Sequence, residues 1–206
     1  SSIVYPFVIT FAKKHNIVDN PDIRKLQRHP VPVLGGISVF IGIATSLLFT
    51  AQYTDWYTLY GVIIFMFIML IIGLLDDIMN LSATLRFCLE IIFVWGYIVA
   101  SHSCIENFHG LWQVYTVSPF ISIPLSILAG VGIINSINLI DGVDGYSSGY
   151  CISAFLCFFV LFMIMQEYVF ACFAMICMGG LIPFYLHNEY KKKSKMYIGD
   201  SGTLMM

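Results

Sequence analysis

The sequence has few charged residues. Only 11% of its 206 residues are Asp, Glu, Lys or Arg, whereas soluble domains have about 25%. Because 59% of the residues are hydrophobic and the mean hydropathy is +0.85, this shortage excludes an ordinary soluble domain and indicates a membrane protein. The formal net charge is −2, so the chain also lacks the surplus of basic residues typical of proteins that bind nucleic acid. We therefore expect no nucleic-acid partner.

Metal-binding cysteine patterns and a secretory leader are also lacking. Of six cysteines, only Cys104 lies in a polar loop, and the sequence has neither a Cys-x-x-Cys motif nor a Cys/His cluster. These features exclude a disulfide framework and a zinc site. The apolar stretch 1–12 has no basic residues before it and no small-residue cleavage site after it, so it is not a signal peptide. We interpret it as the end of a helix that begins upstream.

Long apolar runs are the main feature that is present. A helix needs about 20 apolar residues to cross the ~30 Å hydrocarbon core of a bilayer. Six runs approach this length, and we find no internal repeat or low-complexity linker between them: 35–51, 57–75, 87–101, 118–140, 147–165 and 168–186. The sequence therefore predicts an all-α, polytopic membrane helix bundle of six spans plus a partial N-terminal helix, forming a single domain over residues 1–206.

The basic residues predict the orientation in the membrane. If the six spans alternate, all ten Lys and Arg residues lie on one face: Lys13, Lys14, Arg24, Lys25, Arg28, Arg86, Lys191, Lys192, Lys193 and Lys195. The loops of the opposite face have only Asp55, Glu106 and Glu167 as charged residues. Basic loops face the cytoplasm in multi-pass proteins. We expect a multi-pass protein whose basic face is cytoplasmic.

Five aspartates follow or end the predicted spans on this same face. They are Asp76, Asp77, Asp141, Asp144 and Asp200. Carboxylates that cluster at a membrane boundary repel one another unless a cation neutralises them. Oxygen ligands without Cys or His favour Mg²⁺, with Mn²⁺ as an alternative, and Mg²⁺ often shares its coordination with substrate phosphates. The cluster therefore predicts phosphate-transfer chemistry at the cytoplasmic face. The alternative is that these residues only terminate helices.

The segment 135–146, NSINLIDGVDGY, places polar residues at a spacing of three within an apolar region. On a helix, Asn135 and Asn138 are neighbours on one face. Gly142 and Gly145 disfavour continuing the helix, because glycine lets the chain unwind and lets a ligand approach the backbone. We expect a helix that ends in an irregular turn, where amides, carboxylates and backbone N–H groups can bind a sugar, a base or a phosphate.

Three other places carry weaker signals. Arg86 and Glu90 are spaced for an ion pair on one helix face. The first loop contains basic residues and His29 before a Gly-Gly pair, and this pattern fits either substrate binding or charge attracted to anionic lipid. The segment 199–202, Gly-Asp-Ser-Gly, is either a plain turn or part of the site that the other aspartates form.

Together these motifs resemble a known family. GLLDD (73–77), NSINLIDGVDG (135–145) and MYIGDSGTL (196–204) occur in its order, and the first loop has its Asp-x-Pro-x-x-Arg-Lys-x-x-x-His pattern, which ends at His29, followed by Pro-Val-Leu-Gly-Gly. The chain resembles the polyprenyl-phosphate N-acetylhexosamine-1-phosphate transferases, glycosyltransferase family 4. Within that family it is most similar to the bacterial undecaprenyl-phosphate GlcNAc-1-phosphate transferase branch.

The resemblance implies a reaction at the inner (plasma) membrane. Undecaprenyl phosphate would attack the β-phosphorus of a UDP-N-acetylhexosamine in a Mg²⁺-dependent step, releasing UMP and starting a cell-envelope polysaccharide. It implies the catalytic residues Asp76, Asp77, Asp141 and Asp144. The metal ligands would be Asp200 and Asp76. The substrate-binding residues would be Asn135, Asn138, Gly142, Arg86 and His29.

The chain departs from the family pattern at two places. Relatives commonly have a basic residue two positions before Arg86, where this chain has Thr84, so Arg86 is left to contact the phosphate. The family also continues past the Gly-Asp motif with further helices and a loop rich in His and Arg. We therefore expect the 206-residue chain to be a truncated transferase domain, and an inactive remnant that acts as an assembly partner is one alternative.

Other classes fit less well. A cation-coupled transporter would have carboxylates near the bilayer midplane and paired broken helices. A CDP-alcohol phosphotransferase would have Ala-Arg shortly after Asp-Gly and further aspartates on the same helix, yet residues 146–165 contain no Asp and no Arg. A homodimer is left open by the sequence.

Overall fold

The computed structural model describes residues 1–19, 30–51, 59–141, 145–190 and 196–206. This part of the chain forms eight α-helices: α1 (Tyr5–Lys14), α2 (Gly35–Thr50), α3 (Tyr60–Met79), α4 (Ala83–Ser101), α5 (Pro119–Leu139), α6 (Tyr146–Ile164), α7 (Tyr168–Tyr190) and α8 (Gly199–Thr203). Two short strands, β1 (Val18–Asp19) and β2 (Val31–Pro32), pair antiparallel with Val18 opposite Pro32. The protein is an all-α membrane helix bundle, as the apolar runs predict.

Five of the six predicted spans are long and apolar enough to cross a membrane. These are α3 to α7, of 19 to 23 residues. The first predicted span corresponds to α2, an apolar helix of only 16 residues. Many large apolar side chains of the bundle point outward, among them Phe120 and Leu139. Such exposure is costly in water but fits contact with lipid chains.

The turn between α3 and α4 brings two charged residues together. The helix α3 continues past the predicted end of its span, so Asp76 and Asp77 lie in its last turn. It stops at Asn80, which adopts a left-handed conformation with φ 49°. Ser82 then caps α4 by accepting a hydrogen bond from the Leu85 N–H at 3.3 Å, as serine commonly does at a helix start. This tight connection places the end of α3 beside Arg86, in the first turns of α4.

The helix α3 contributes to both hydrophobic cores of the bundle. Its residues Met66 and Leu70 pack in a core with α1, α2, α6 and α7, whereas Met69 and Ile72 pack with α4 and α5. Leu204, which follows α8, belongs to the second core. The helices α2, α3 and α5 all contact α8.

The sequence leaves the segment 199–202 as either a plain turn or part of the site. In the structure this segment lies in the short helix α8. The backbone before it runs beside the end of the first loop, because the Tyr197 N–H donates to Pro32 O at 2.8 Å and the Gly36 N–H donates to Ile198 O at 2.7 Å. Glycines permit this close approach. A methyl group on Gly36 would lie 2.6 Å from Gly202 Cα, and one on Gly73 would lie 2.5 Å from Ser201 Cα. The Gly-Gly pair of the first-loop motif therefore serves to dock α8.

Candidate active site

The polar residues predicted to form a site converge at one end of the bundle. The end of α3, the start of α4, the end of α5 and α8 all contribute to it. The contacts described below connect these side chains: Asp76, Asp77, Arg86, Glu90, Asn135, Asn138, Asp141 and Asp200. Three predicted site residues, His29, Gly142 and Asp144, lie outside the described residues.

Arg86 bridges two aspartates. Its Nη1 donates to Asp76 Oδ2 at 2.9 Å and lies 3.5 Å from Asp200 Oδ2. The other oxygen of Asp76 accepts a hydrogen bond from the Leu81 N–H at 2.8 Å. Asp76 thus holds both the turn after α3 and the guanidinium of α4. A charge-assisted hydrogen bond of this kind is stronger than a neutral one.

Of the two aspartates beside Arg86, Asp200 is the more exposed to solvent. Its side chain is 29% exposed, against 8% for Asp76. Asn138 donates a short hydrogen bond from Nδ2 to Asp200 Oδ1, and the same nitrogen donates to Thr203 Oγ1 at 2.9 Å. Partial burial raises the pKa of Asp200 above its ordinary value. A carboxylate that is oriented, close to a second one and still accessible is suited to bind a cation.

Asp77 caps α8. Its Oδ1 accepts a hydrogen bond from the Asp200 N–H at 2.9 Å, and its Oδ2 accepts one from the Ser201 N–H at 3.0 Å. Backbone N–H groups at a helix start have no partner within the helix, so an acidic side chain stabilises them. Both oxygens of Asp77 therefore serve to hold the helix that carries Asp200.

Asp141 connects the ends of three helices. It follows α5, and its Oδ1 accepts from the Ser147 hydroxyl in α6 at 2.6 Å. Its Oδ2 accepts from the Gly199 N–H at the start of α8 at 3.1 Å. Burial raises the pKa of Asp141 from 3.8 to about 7, although both hydrogen bonds oppose this change. The carboxylate is thus costly to keep ionised. It nevertheless orders α8, because it accepts a hydrogen bond at the start of that helix.

Replacing Asp141 by Asn should make the difference in stability between variant and wild type depend on pH. A carboxyl whose pKa is higher in the folded than in the unfolded state binds protons more tightly when folded. The wild type therefore loses stability as the pH rises from about 4 to about 7, and the variant lacks this loss. In metal-free detergent solution, we expect the Tm of Asp141→Asn relative to wild type to be higher at pH 8 than at pH 5.

The exposed Ser136, whose hydroxyl does not titrate in this range, provides the control for this measurement. Ser136→Ala should keep a constant Tm difference from wild type over the same range. A Tm difference for Asp141→Asn that does not change between pH 5 and pH 8 would contradict the assigned environment of Asp141.

Glu90 is completely buried one helical turn beyond Arg86. Its Oε1 lies 3.6 Å from Arg86 Nε, which is the ion pair that the spacing predicts. The sequence did not indicate its second contact, in which Asn135 Nδ2 donates a short hydrogen bond to Glu90 Oε2. Asn135 Nδ2 also donates to Val131 O at 2.9 Å. In this structure the amide nitrogens of both asparagines bind carboxylates of the protein itself.

The donor set fits a hard cation held by few protein ligands. Among the described residues, no three His, Cys, Asp or Glu side chains are arranged to hold a metal ion. Mg²⁺ commonly needs only one or two carboxylates, because water and substrate phosphates complete its coordination. Asp200 and Asp76, which face the same Arg86 nitrogen, meet this requirement.

Two residues that contact the site were missed by sequence reasoning. Ser147 binds Asp141, and Thr203 binds Asn138. Ser147 comes two positions after NSINLIDGVDG and Thr203 lies within MYIGDSGTL, so the signal was their closeness to Asp-Gly-Tyr and Gly-Asp-Ser-Gly. Hydroxyls are common at such places, and the sequence alone offers no means of choosing these two.

The site lies within a region that matches a known family. The model of glycosyl transferase family 4 matches residues 59–206, which include all eight of the convergent polar residues. The chain belongs to glycosyl transferase family 4. This membership confirms the resemblance that the order of the motifs predicts.

Several relatives of the chain share one name, that of undecaprenyl-phosphate N-acetylglucosaminyl 1-phosphate transferases. A probable undecaprenyl-phosphate N-acetylglucosaminyl 1-phosphate transferase of Bacillus subtilis is 28% identical and is matched over 99% of this chain and 56% of its own length. Undecaprenyl-phosphate α-N-acetylglucosaminyl 1-phosphate transferases of Escherichia coli K12 and Yersinia pestis are 29% and 28% identical, over 97% and 95% of this chain and 55% and 54% of theirs. The chain thus spans about half the length of these relatives.

Proposed function

We propose that this protein transfers N-acetylhexosamine-1-phosphate, in the first place GlcNAc-1-phosphate, from a UDP-sugar to undecaprenyl phosphate. UMP is the second product, and the lipid-linked sugar begins a cell-envelope polysaccharide. The observation that carries the proposal is the cluster in which Arg86 faces Asp76 and Asp200 at the end of the bundle. It receives support from the names of the relatives, which are undecaprenyl-phosphate N-acetylglucosaminyl 1-phosphate transferases.

The charge balance of the cluster favours a divalent cation and a phosphate together. The single guanidinium of Arg86 lies beside three carboxylates, those of Asp76, Glu90 and Asp200. We propose that Asp200 and Asp76 hold Mg²⁺, or Mn²⁺ in its place. When bound, the ion would neutralise charge on the diphosphate of the donor. Arg86 would then bind a phosphate oxygen directly.

Positioning is the main contribution that we assign to the other polar residues. Asp77 and Asp141 hold α8 through its first backbone N–H groups, and Asn138 orients Asp200. A phosphate monoester has a second pKa near 6, so the lipid phosphate is mostly ionised at neutral pH. A dedicated general base is therefore unnecessary, and alignment with charge neutralisation can supply most of the rate. Roles for His29, Gly142 and Asp144 remain predictions.

We further propose that this end of the bundle faces the cytoplasm in the inner membrane, as the placement of basic loop residues predicts. A UDP-sugar is a soluble metabolite with a charged diphosphate, so it must reach the site from water and not through the lipid. The carboxylates lie at helix ends, which disfavours a cation-coupled transporter, whose sites lie near the midplane.

A transfer assay tests the proposed function. Purified protein in lipid nanodiscs would receive undecaprenyl phosphate, MgCl₂ and labelled UDP-GlcNAc, and UMP release would be compared with label in the lipid fraction. We expect equal amounts of both products and no turnover with EDTA. UDP-GalNAc as a second donor would test the choice of sugar. Failure to form either product would overturn the proposal and favour an inactive assembly partner.

Asn138→Ala should lower kcat by about tenfold, because Asp200 loses the hydrogen bond that orients its carboxylate. The initial rate of UMP release at saturating donor measures this effect. Ser136→Ala on the same helix is the matched control, since Ser136 is exposed and donates to the Gly132 carbonyl of its own helix. An equal rate for Asn138→Ala and Ser136→Ala would contradict the role of Asn138.

A further inference from the structure

Glu90 is a buried carboxylate, and burying a carboxylate without a partner is unfavourable. Its side chain has no exposed surface, and it lies within the apolar helix α4. Its Oε1 has no hydrogen-bond partner among the described residues, and the nearest cation to that oxygen is Arg86 Nε at 3.6 Å. A buried charge persists when a partner nearby compensates for lost hydration. The structure therefore couples Glu90 to Arg86.

Asn135 sets the position of Glu90 from the neighbouring helix. Its Nδ2 donates to Glu90 Oε2 and to the Val131 carbonyl, so the amide is anchored to the backbone of α5. Because Asn135 of α5 holds Oε2, the other oxygen of Glu90 is directed to Arg86 on its own helix, α4. Asn135, Glu90 and Arg86 thus form a connected series that ends at the Asp76 and Asp200 carboxylates.

The nitrogens of the Arg86 guanidinium face different groups in this arrangement. Nε faces Glu90, and Nη1 faces Asp76 and Asp200. The third nitrogen, Nη2, has no partner in the described part of the chain. A guanidinium is planar and has donors in fixed directions. Holding Nε and Nη1 therefore also fixes the direction of the two N–H groups on Nη2, which can donate to a phosphate oxygen.

We propose that Glu90 is a positioning residue, which orients Arg86 so that Nη2 binds a phosphate of the substrate. This inference rests on the proposed function, because it assigns Glu90 a part in donor recognition by the same site. It goes beyond the i,i+4 ion pair, since an ion pair on the helix surface would serve helix stability alone. Asn135 shares this role as the residue that holds Glu90.

Glu90→Gln is the first test, because glutamine keeps the size of the side chain and an acceptor for Asn135 but removes the charge that faces Nε. We expect kcat/KM for the UDP-sugar to fall about tenfold. The exposed Glu106→Gln, at the opposite end of the bundle, should leave kcat/KM unchanged. A change of less than twofold in Glu90→Gln would overturn the proposal.

A double-mutant cycle with Arg86→Gln separates positioning from general stabilisation. If Glu90 acts through Arg86, adding Glu90→Gln to Arg86→Gln should change kcat/KM by less than twofold. A structural role would instead lower kcat/KM by the same factor in both backgrounds, together with the Tm, and that result would overturn the proposal.

The same cycle measured by binding does not depend on transferase activity. The Kd of magnesium pyrophosphate, obtained by calorimetry, should rise about tenfold in Glu90→Gln, and this rise should vanish in the Arg86→Gln background. If the wild type fails to transfer the sugar phosphate but the binding cycle behaves as expected, the proposed function fails and the role of Glu90 stands. An equal Kd for wild type and Glu90→Gln, or no binding by the wild type, would overturn that role.

Discussion

Replacing Asp200 by Asn should reduce kcat for sugar-phosphate transfer by about a thousandfold. That factor corresponds to roughly 4 kcal/mol of lost transition-state stabilisation. Asp200 is the accessible carboxylate of the Arg86 group, and Asn138 already holds one of its oxygens in place. The substitution keeps the size of the side chain but removes its charge. Because a Mg²⁺ site of only two carboxylates would lose half of its protein charge, the Mg²⁺ concentration needed for half-maximal activity should rise as well.

This loss should occur without unfolding. The contacts that dock α8 use the backbone N–H groups of Asp200 and Ser201, which donate to Asp77, and these groups remain in the variant. We therefore expect the Tm of Asp200→Asn to lie within about 4 °C of the wild type, because the isosteric change affects only the side-chain contacts to Arg86 and Asn138, which are worth about 1 kcal/mol. Glu106→Gln removes a charge remote from the site and serves as the control for turnover. Turnover of Asp200→Asn within threefold of wild type would contradict the assignment of Asp200.

The parts of the fold that depend on local sequence were predictable. Apolar runs of sufficient length specify α3 to α7, because a bilayer selects for helix length and hydropathy. Helix ends were harder to place. The carboxylates of Asp76 and Asp77 suggest a span that stops before them, yet α3 continues to Met79 and ends only where Asn80 takes a left-handed conformation. A polar side chain at the end of a helix does not interrupt its backbone hydrogen bonds, so polarity alone misplaces the boundary.

The convergence of Asp76, Asp77, Asp141 and Asp200 at one end of the bundle was predictable, but their individual contacts were not. Topology places Asp76, Asp141 and Asp200 at one end of the bundle, since each follows a predicted span that runs in the same direction across the membrane. The sequence contains no signal that Asp77 binds the start of a helix 123 residues later. Nor does it show that Asn135 reaches Glu90 on another helix, 45 residues away. Such pairs depend on helix packing angles and rotation, which hydropathy does not determine.

The docking of α8 explains why glycine recurs in the motifs. Gly36 and Gly73 belong to different helices, and α8 lies against both of them. A side chain at either position would separate the helices and displace the backbone that carries Asp200. The glycines of the first-loop motif and of GLLDD thus influence the position of Asp200 indirectly. They let α8 come close enough for Asp77 to bind its N–H groups.

Gly73→Ala should therefore lower kcat more than a hundredfold and reduce stability at the same time. The added methyl group would lie 2.5 Å from Ser201 Cα and also against the Asp200 carbonyl. Backbone atoms cannot move aside as a flexible side chain can, so α8 must shift. Overpacking of this kind costs about 1–3 kcal/mol, which corresponds to a fall in Tm of roughly 5 °C for a domain of this size. Turnover and thermal unfolding of the purified variant measure the two effects.

Gly132→Ala is the matched control, because Gly132 lies within α5 and a methyl group there would meet nothing within 4 Å. Alanine is also the better helix former, so this control should retain activity and keep or slightly raise the Tm. The comparison isolates the close contact with α8 from the general effect of removing a helix glycine. Full activity in Gly73→Ala would mean that α8 does not need its close approach to α3. The positioning of Asp200 by Asp77 would then lose its main physical support.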